Sequence, residues 1–521
     1  MDGLAAQGTD DRGEGTGGET PVRDPRRWLI LVVLCLSTLV LVVDNMILTV
    51  AIPPIAEDID ATASDIQWIL DSYMLVFAGL LLTSGSLSDR FGRRKVMVLG
   101  LVLFGGASLI ATIANSPEQL IAGRVLMGIG GALIMPSTLS ILITVFDEEE
   151  RPKAIAAWSA VAMVGLVGGP VFGGALLGHF WWGSVFLINL PIVGLAILAA
   201  LILMPESKGP WRKADPLGIV LSVVGMVALV WTITEWPKEG FDSPKVFVAG
   251  IVAVAALVSF GFWETRVDEP MVPIELFRNR VFTGASFSIV LLTFANGGLL
   301  LVLTQYLQFV LHYSPTKTGW AFAPLAVASL VFNTLGATLG QKLGNRFLVA
   351  VGLTITAGGF FTLTTLSPGD GFGIVAIAMV LMGMGGGLAM PAAVAALMSA
   401  VPGEHAGVGS ALNDTVQQAG AALGVAILGS VLSSTYADEM PASAGDVADN
   451  SVVEGLAEAA RTGNAALGDA VRSAFTDAMS ATFVTGAAAV LVAAVLSIFL
   501  MKPGPEAPAV DEDREPDLVS H

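Results

Sequence analysis

Long apolar runs, separated by short polar segments, recur along nearly the whole chain. Each run holds at least about 18 residues, which as a helix is enough to cross ~30 Å of hydrocarbon. A transmembrane barrel would instead show alternating segments of about ten residues. The pattern predicts fourteen membrane-spanning helices grouped six, two and six, with approximate bounds 28–52, 66–87, 96–114, 117–144, 154–178, 184–204, 216–235, 246–263, 282–311, 319–340, 347–366, 372–400, 405–433 and 481–501.

Composition supports this interpretation. The chain has 521 residues, of which 54% are hydrophobic and only 13% are charged, whereas soluble proteins carry about a quarter of charged residues. A soluble enzyme, a nucleic-acid binder and a disordered protein are therefore excluded. We expect an all-α polytopic protein of the lipid bilayer, with no enzymatic activity and no nucleic-acid partner.

Cysteine and histidine usage gives no sign of a metal or a cofactor. Cys35 is the single cysteine and lies inside an apolar run, and the four histidines are scattered. Neither a metal-ligand spacing nor a phosphate-binding loop is present, so we predict no metal, no cofactor and no hydrolysis of ATP by this chain.

Basic residues indicate the orientation of the chain. With a cytoplasmic N-terminus, 20 of the 26 Lys and Arg residues fall in inner segments and five in outer loops. The positive-inside rule then places both termini in the cytoplasm. The net charge of -18 comes mostly from acidic segments outside the bilayer, and we interpret these as solvated tails and one loop.

The spans divide the chain into expected units. These are a disordered tail over 1–25, a six-helix bundle over 26–206, a two-helix insert with linkers over 207–280, a second six-helix bundle over 281–501, and an acidic tail over 502–521. An extracellular loop is expected over 434–480, where residues 452–479 favour amphipathic surface helices over plain disorder.

An internal repeat supports two related halves. Residues 127–136 (MGIGGALIMP) match residues 382–391 (MGMGGGLAMP) at seven of ten positions, and the same offset of 255 carries Gly165 and Gly169 onto Gly420 and Gly424. Duplicated halves are common in transporters, which bind substrate between them.

The inner loop between the second and third spans carries the most specific motif, Gly85-Ser-Leu-Ser-Asp89-Arg90-Phe-Gly92-Arg93-Arg94-Lys95. Its glycines permit a tight turn and close helix approach. The Asp89 carboxylate can accept hydrogen bonds from the amides of a neighbouring helix N-terminus, or pair with an arginine. We therefore predict a conformational latch formed by Gly85, Asp89, Arg90, Gly92 and Arg93; a loop that only sets topology is the alternative.

Charged residues inside the predicted spans are candidates for proton coupling, because each costs ~2.5–3.5 kcal/mol at a helix centre. At 1.5 Å per residue, Asp44 lies about 24 Å from the inner face, and Asp71 and Arg124 lie at a similar depth in the outer half. We predict that these three residues form a group that loads a proton outside and releases it inside. The alternatives are interhelical hydrogen bonding for Asp44, a hydrated helix end for Asp71 and packing for Arg124.

On these motifs the sequence resembles the major facilitator superfamily, whose loop between the second and third helices reads G-x-L-x-D-R-x-G-R-[RK]-[RK]. The fourteen spans narrow the resemblance to its 14-helix drug:proton antiporters. Three further segments are similar to motifs of that family: Leu41 to Pro53 in the first span, Arg124 to Ala132 in the fourth, and Phe186 to Ile192 in the sixth. The resemblance implies two six-helix bundles with two inserted helices.

The fifth span carries what resembles the antiporter motif of that family, with Gly165, Gly169, Pro170, Gly173 and Gly174. Small residues at this spacing allow close helix packing, and a proline kinks a helix. We expect a hinge packed against the other half; packing without motion is the alternative. The resemblance implies exchange rather than uniport.

Three positions depart from the family pattern. Met46 stands where a Thr is usual, Trp182-Gly-Ser lacks an Arg and a second Trp, and Gln341 replaces the Asp in the echo of the loop motif in the second half. The latch of the second half should therefore be weaker.

We predict a monomeric, proton-coupled exporter of amphipathic drugs, lipophilic or cationic, in a bacterial plasma membrane. An exporter of a lipid or an endogenous metabolite, and a nutrient facilitator of the same fold, remain alternatives; a receptor or channel would need a sensory domain or a polar pore that the sequence does not show. Asp414 can attract a cation, serve as a second proton site or join helices. The candidate cavity residues are Asn45, Asn296, Gln305, Asn333, Asp414 and Gln417.

Overall fold

The computed structural model describes residues 25–209, 215–239, 243–367, 369–441 and 452–501. Nearly all of the predicted tails, 1–25 and 502–521, lies outside these ranges. The described elements are helical. The first half and the insert contain α1 (Arg27–Asp58), α2 (Ala63–Phe91), α3 (Arg93–Thr112), α4 (Pro117–Val145), α5 (Arg151–Leu177), α6 (Ser184–Leu187), α7 (Asn189–Leu203), α8 (Pro216–Glu239) and α9 (Pro244–Glu264).

The second half begins after a short 3-10 turn, Ile274–Arg278. Its helices are α10 (Arg280–Gln305), which continues into a π-helical turn (Tyr306–Val310), then α11 (Pro315–Ala321), α12 (Ala323–Leu343), α13 (Asn345–Leu363), α14 (Phe372–Ser399), α15 (Ala406–Glu439), α16 (Val452–Thr462) and α17 (Ala465–Leu500).

The number of long helices agrees with the prediction. Thirteen spans among the described residues are long and apolar enough to cross a membrane, and α5, with 27 residues, is a further long helix of apolar composition. The chain is therefore an all-α, multi-pass membrane protein. The sixth predicted span is divided into α6 and α7, and α11 precedes α12 in the tenth.

The predicted extracellular loop over 434–480 is too long. The preceding helix continues to Glu439, and the last helix already begins at Ala465, where the Asn464 side chain accepts a hydrogen bond from the Leu467 amide. Charged residues at 469, 472 and 477 interrupt the apolar run, which is why hydropathy alone began the last span too late. Val471 and Phe475, four residues apart on one face of the helix, are buried, and this packing keeps the segment helical. An amphipathic segment does form α16.

The helices pack in two groups with the insert at one side. Within the first group α1 packs against α5 and α7, and α4 against α2 and α3; within the second, α10 packs against α15 and α17, and α14 against α12 and α13. The groups meet where α2 contacts α15 and where α5 contacts α12. In the insert, α8 packs against α9, α2 and α15.

The internal repeat has a structural counterpart. A β-carbon at Gly130 in α4 would lie 2.9 Å from the Gly100 carbonyl oxygen of α3, and one at Gly385 in α14 would lie 2.4 Å from the Gly352 carbonyl oxygen of α13. The repeated glycines therefore allow the same close helix packing in each half.

Candidate functional site

A buried ion pair joins α1 to α4. Arg124 Nη1 lies 2.6 Å from Asp44 Oδ2, and each side chain is only 1% exposed. Breaking such a pair on one side leaves an uncompensated buried charge, which typically costs about 3–5 kcal/mol. The two charges therefore stabilise the first bundle only while both are present.

Polar neighbours form further hydrogen bonds with both Asp44 and Arg124. Asn189 Nδ2 donates to Asp44 Oδ1 over 2.7 Å, and the same amide lies 3.2 Å from Ser108 Oγ. Arg124 Nε donates to the Ile69 carbonyl oxygen over 3.2 Å, and the guanidinium carbon lies 4.3 Å from the centre of the Tyr73 ring. Each carboxylate oxygen of Asp44 thus accepts one hydrogen bond from a different helix.

The structure brings Asp44, Asn45 and Arg124 together and places Asp71 to one side. Asn45 Oδ1 accepts from Arg124 Nη2 over 3.4 Å, so Asn45 belongs to this group and not to the lining of the central cavity. Asp71 is half-buried on α2. It is two residues from both Ile69 and Tyr73, which contact Arg124, so it lies on a different face of that helix.

The Asp89 carboxylate joins the two bundles at the end of the molecule that carries Arg90, Arg93 and Arg94, which we call the basic end. Asp89 Oδ1 accepts from the Gly407 amide over 3.0 Å, and Oδ2 from the Val408 amide over 3.1 Å. These amides belong to the first turn of α15, where helix N-terminal N–H groups favour an anion.

Arg93 strengthens this junction. Its Nε and Nη2 donate to Asp89 Oδ1 over 2.9 Å and 2.7 Å, and Nη2 also reaches the Gly403 carbonyl oxygen over 2.9 Å. Arg90, in contrast, stacks over the Phe91 ring with its guanidinium carbon 5.0 Å from the ring centre. Within the predicted latch, Asp89 and Arg93 therefore make these contacts across the bundles.

Two glycines of the motif have a steric role. A β-carbon at Gly85 would lie 2.5 Å from both Ala411 Cβ and the Gly407 carbonyl oxygen, so only glycine allows α2 and α15 to approach this closely. Gly92 has a φ of 113°, which favours glycine, in the turn between α2 and α3. The sequence analysis missed Glu206, which accepts from the Arg94 amide over 3.1 Å and holds the start of α3.

The antiporter motif packs mainly within its own bundle. β-Carbons at Gly165 and Gly169 would lie 2.6 Å from Val42 Cγ1 and 2.3 Å from Met46 Cβ, and one at Gly173 would lie 3.3 Å from Ile47 Cγ2, all on α1. The glycines thus contact α1, whereas α5 as a whole packs against α11, α12 and α14 of the second bundle, as expected for this helix. Gly174 is half-buried on α5, and the side chain of Pro170 is not among those described.

A cavity of about 220 Å³ lies between the two bundles. Of the predicted cavity residues, Asn296, Asn333 and Gln417 line it, whereas Asn45, Gln305 and Asp414 are not part of its described lining. The described lining contains no ionisable side chain; it is formed by apolar residues, small hydroxyl side chains and amides, including Thr38, Met135, Trp158, Ser329, Met390 and Gln417.

Trp158 is a cavity residue that the sequence analysis missed. Its indole nitrogen lies 3.0 Å from Thr38 Oγ1 on α1 and 3.2 Å from Thr138 Oγ1 on α4. These contacts hold the ring at the point where three helices of the first bundle meet, beside residues from the second. A single tryptophan, whose indole N–H needs a hydrogen-bond partner, in an apolar span is the signal that could have indicated this cavity residue.

Asp414 is buried in α15 beside the cavity. Its side chain is 3% exposed, Oδ1 accepts from Asn413 Nδ2 over 3.0 Å, and no donor of the described residues reaches Oδ2. A buried carboxylate with an unsatisfied oxygen is costly, so this site favours a bound proton or cation.

Comparison with known proteins agrees with this architecture. Residues 34–425 match the family model described as Major Facilitator Superfamily. The multidrug efflux pump LfrA of Mycolicibacterium smegmatis is 34% identical, with 93% of this chain and 98% of LfrA covered. The tetracenomycin C resistance and export protein of Streptomyces glaucescens is 30% identical, with 94% of each protein covered.

A solved structure shows the same fold at low identity. The human organic anion transporter MFSD10 superposes with a TM-score of 0.61 at 15% sequence identity, and the match covers 91% of this chain and 100% of that structure. The family model and the long helices of the described residues, in two bundles with an inserted pair, agree: the chain belongs to the Major Facilitator Superfamily.

Proposed function

We propose that the protein is a proton-driven exporter of amphipathic drugs that works by alternating access. The observation that carries this proposal is the buried Asp44–Arg124 pair, 2.6 Å long and 1% exposed, in a chain whose two bundles enclose a cavity. The named efflux and export functions of the relatives support drugs as the substrate class.

The ion pair gives a mechanism for coupling. Protonation of Asp44 removes its negative charge and weakens its attachment to Arg124 on α4 and Asn189 on α7, so proton binding loosens the contact between α1 and its neighbours. Arg124 stays charged, and its positive charge favours release of the proton from Asp44 when the site is rehydrated. Asp71 serves as the entry group in this proposal, and Asp414 as a second proton or cation site beside the cavity.

The energy of proton entry is sufficient for export. Each charge that crosses the membrane yields about 2.3 kcal/mol per 100 mV of potential, so at 100 mV one proton can sustain a gradient of a neutral drug of about 50-fold and two protons one of about 2,000-fold. The chain needs no nucleotide for this work.

The membrane setting belongs to the same proposal. We place the protein in a bacterial plasma membrane as a monomer, with both termini and the basic end in the cytoplasm, because 20 of 26 Lys and Arg residues then lie on that side. Cysteine labelling of single-Cys variants in intact cells tests this orientation. Labelling of a cysteine at Ser207 by a membrane-impermeant reagent would contradict it.

Purified protein in liposomes tests the coupling. An acid-outside jump, with the basic end on the inside, should drive a loaded fluorescent drug outward, and Asp44→Asn should abolish the response to the proton gradient while the protein still folds. Ser108→Ala, which removes only a neighbour of Asn189, is the matched control and should retain transport. Unchanged exchange in Asp44→Asn and Asp71→Asn would refute the proton-site assignment.

The substrate arm of the experiment separates the remaining functions. A metabolite or lipid exporter would show proton-driven exchange with none of the drugs, and a nutrient facilitator would show uptake that does not respond to a proton gradient. Neither alternative has a specific feature of the cavity in its favour.

A further inference from the structure

The base of the inserted helix pair holds two carboxyl groups beside the same glycine. Asp215 immediately precedes α8, and Glu264 is the last residue of α9. A β-carbon at Gly218 would lie 2.3 Å from Asp215 Oδ2 and 2.9 Å from Glu264 Oε1, so both oxygens face the same glycine. A hydrogen bond between two carboxyl groups requires a proton, since ionised carboxylate oxygens can only accept.

The neighbours of the pair indicate which group carries the proton. Asp215 Oδ1 accepts from the Gly218 amide over 2.9 Å, and its two oxygens lie 3.0 Å and 2.9 Å from the indole nitrogen of Trp263. Both oxygens of Asp215 are therefore already supplied with N–H donors, at the N-terminus of a helix.

Glu264 has the opposite surroundings. It is 3% exposed, and its Oε2 accepts from the Val272 amide over 2.8 Å. No N–H or hydroxyl group of the described residues reaches Oε1, whose neighbour is the Asp215 carboxylate. An ionised Glu264 would thus bring a buried, unsatisfied charge against a second negative charge, whereas a proton on Oε1 supplies the missing donor.

We propose that Asp215 and Glu264 form a proton-binding site that fastens the base of the inserted helix pair. The site joins the start of α8, the end of α9 and, through Val272, the linker that leads into the second bundle. When the shared proton is lost, repulsion separates the two helix ends and releases the linker.

This site lies beside the junction of the two bundles. Asp215 lines a small cavity together with Asp89 of α2, and the other charged or titratable groups that face it are Arg90 of α2, Glu269 of the linker, and Glu404 and His405 at the start of α15. Among the described residues that line this cavity, acidic groups outnumber basic ones, which favours retention of the proton. Proton loss therefore loosens the structure next to the Asp89 contacts and makes the closed basic end sensitive to the pH of that side.

The test uses the purified full-length protein in detergent, from about pH 5 to about pH 9, a range that spans ordinary carboxyl and histidine titration. Thermal unfolding and the infrared carbonyl stretch of protonated carboxyl groups are measured together. Because the native state holds a proton that the unfolded chain releases, the melting temperature of the wild type should fall as pH rises until the pair ionises.

Glu264→Gln is the decisive variant. The Gln amide can donate to Asp215 while its carbonyl oxygen accepts from Val272, so it mimics the protonated acid at every pH. We expect this variant to lose the Glu264 component of the infrared band, measured as the difference between wild type and variant, and most of the pH-dependent fall in melting temperature. Glu404→Gln, which removes another carboxyl group of the same cavity, is the control and should keep both.

Asp215→Asn keeps the proposal falsifiable if Glu264→Gln does not fold. An Asn side chain can donate to ionised Glu264, so the band of the protonated carboxyl group should be lost at neutral pH. A wild-type-minus-Asp215→Asn difference spectrum with no lost carboxyl component, or an unchanged pH profile in Glu264→Gln, overturns the shared-proton site. Neither readout depends on transport, so failure here is distinct from failure of the proposed export function.

Discussion

Among single residues, Asn189 shows how a neutral side chain can set the behaviour of a charged one. Its amide donates to Asp44 Oδ1 over 2.7 Å, opposite the Arg124 contact on Oδ2. A hydrogen bond to a charged group stabilises that form by ~1.5–3 kcal/mol. Asn189 therefore helps Asp44 release its proton, although it never titrates.

Asn189→Ala should shift the pH dependence of transport upward. Without the amide, the ionised carboxylate loses one of its two donors, so release of the proton should need a higher pH. The pH profile of drug export in liposomes measures the shift. Ser108→Ala should leave the profile in place, and a shift in that control instead would assign the effect to general packing.

Gly85 is the residue that sets the distance between the bundles. Gly85→Ala would bring a methyl group to 2.5 Å from Ala411 Cβ and the Gly407 carbonyl oxygen, and such overpacking costs ~1–3 kcal/mol. We expect slower transport and a wider distance distribution across the basic end, measured with spin labels on α2 and α15. Gly194→Ala is the control, because no atom lies within 4 Å of its β-carbon position.

At the level of helices, the Asp89 junction connects the end of α2 to the start of α15. The sequence indicated both kinds of partner that this carboxylate finds, helix N-terminal amides and an arginine. It could not indicate which helix, because Gly407 is 318 residues away along the chain. Glu206 was missed for the same reason, since a charged residue in a linker has no pattern that reveals its contact.

Asp89→Asn should open the basic end. The neutral amide can still accept hydrogen bonds, but it loses the ion pair with Arg93 and the attraction to the N-terminus of α15. We expect faster hydrogen exchange in a peptide that covers residues 403–412 and a fall in transport rate of about tenfold, because each ~1.4 kcal/mol is a factor of ten.

Asp58→Asn provides the matched control for this exchange experiment. Asp58 also accepts a side-chain hydrogen bond, from Trp182 Nε1 over 2.6 Å, but at the opposite end of α1 from Arg27. Exchange at residues 403–412 should not change in this variant. Equal exchange in Asp89→Asn and the wild type would mean that the junction does not hold the bundles together.

Helix existence was easier to predict than helix ends. In a membrane, the backbone N–H and C=O groups of an apolar run of about 20 residues form their hydrogen bonds within a spanning helix. The predicted spans accordingly correspond to the long helices observed. The start of the last helix was misplaced by 16 residues, from 481 to Ala465, because its first turns carry charges yet bury Val471 and Phe475 against the rest of the protein. Hydropathy records composition, whereas the helix is extended by tertiary packing.

For the whole molecule, duplication explains the helix packing that the two halves share but not the buried ion pair, which, among the described residues, only the first half contains. Equivalent glycines pack α4 on α3 and α14 on α13, yet Arg124 of the first half corresponds to Met379 in the second at the repeat offset. In the proposed function the Asp44–Arg124 pair therefore belongs to one bundle, whereas the lining of the cavity comes from both. Such a division couples two events by the relative motion of the bundles, with no direct contact needed between proton and drug.

The cavity between the bundles predicts a preference that mutation can reverse. Its described lining has no ionisable side chain, and Gln417 of α15 is one of the few amides that face it. Neutral amphipathic drugs should therefore be exported better than permanently charged analogues of the same size. Gln417→Glu places a carboxylate in the cavity with little change in volume.

We expect Gln417→Glu to raise the export rate of a lipophilic cation relative to a neutral analogue by about tenfold or more. Two unit charges 4 Å apart attract by ~4 kcal/mol near a protein surface, and ~1.4 kcal/mol already gives tenfold. Paired transport assays in liposomes measure this ratio, and Gln417→Met, which is similar in size and uncharged, should not increase it. A ratio that rises equally in both variants, or in neither, would show that the drug does not occupy this cavity, because only a bound cation can sense the added charge at this distance.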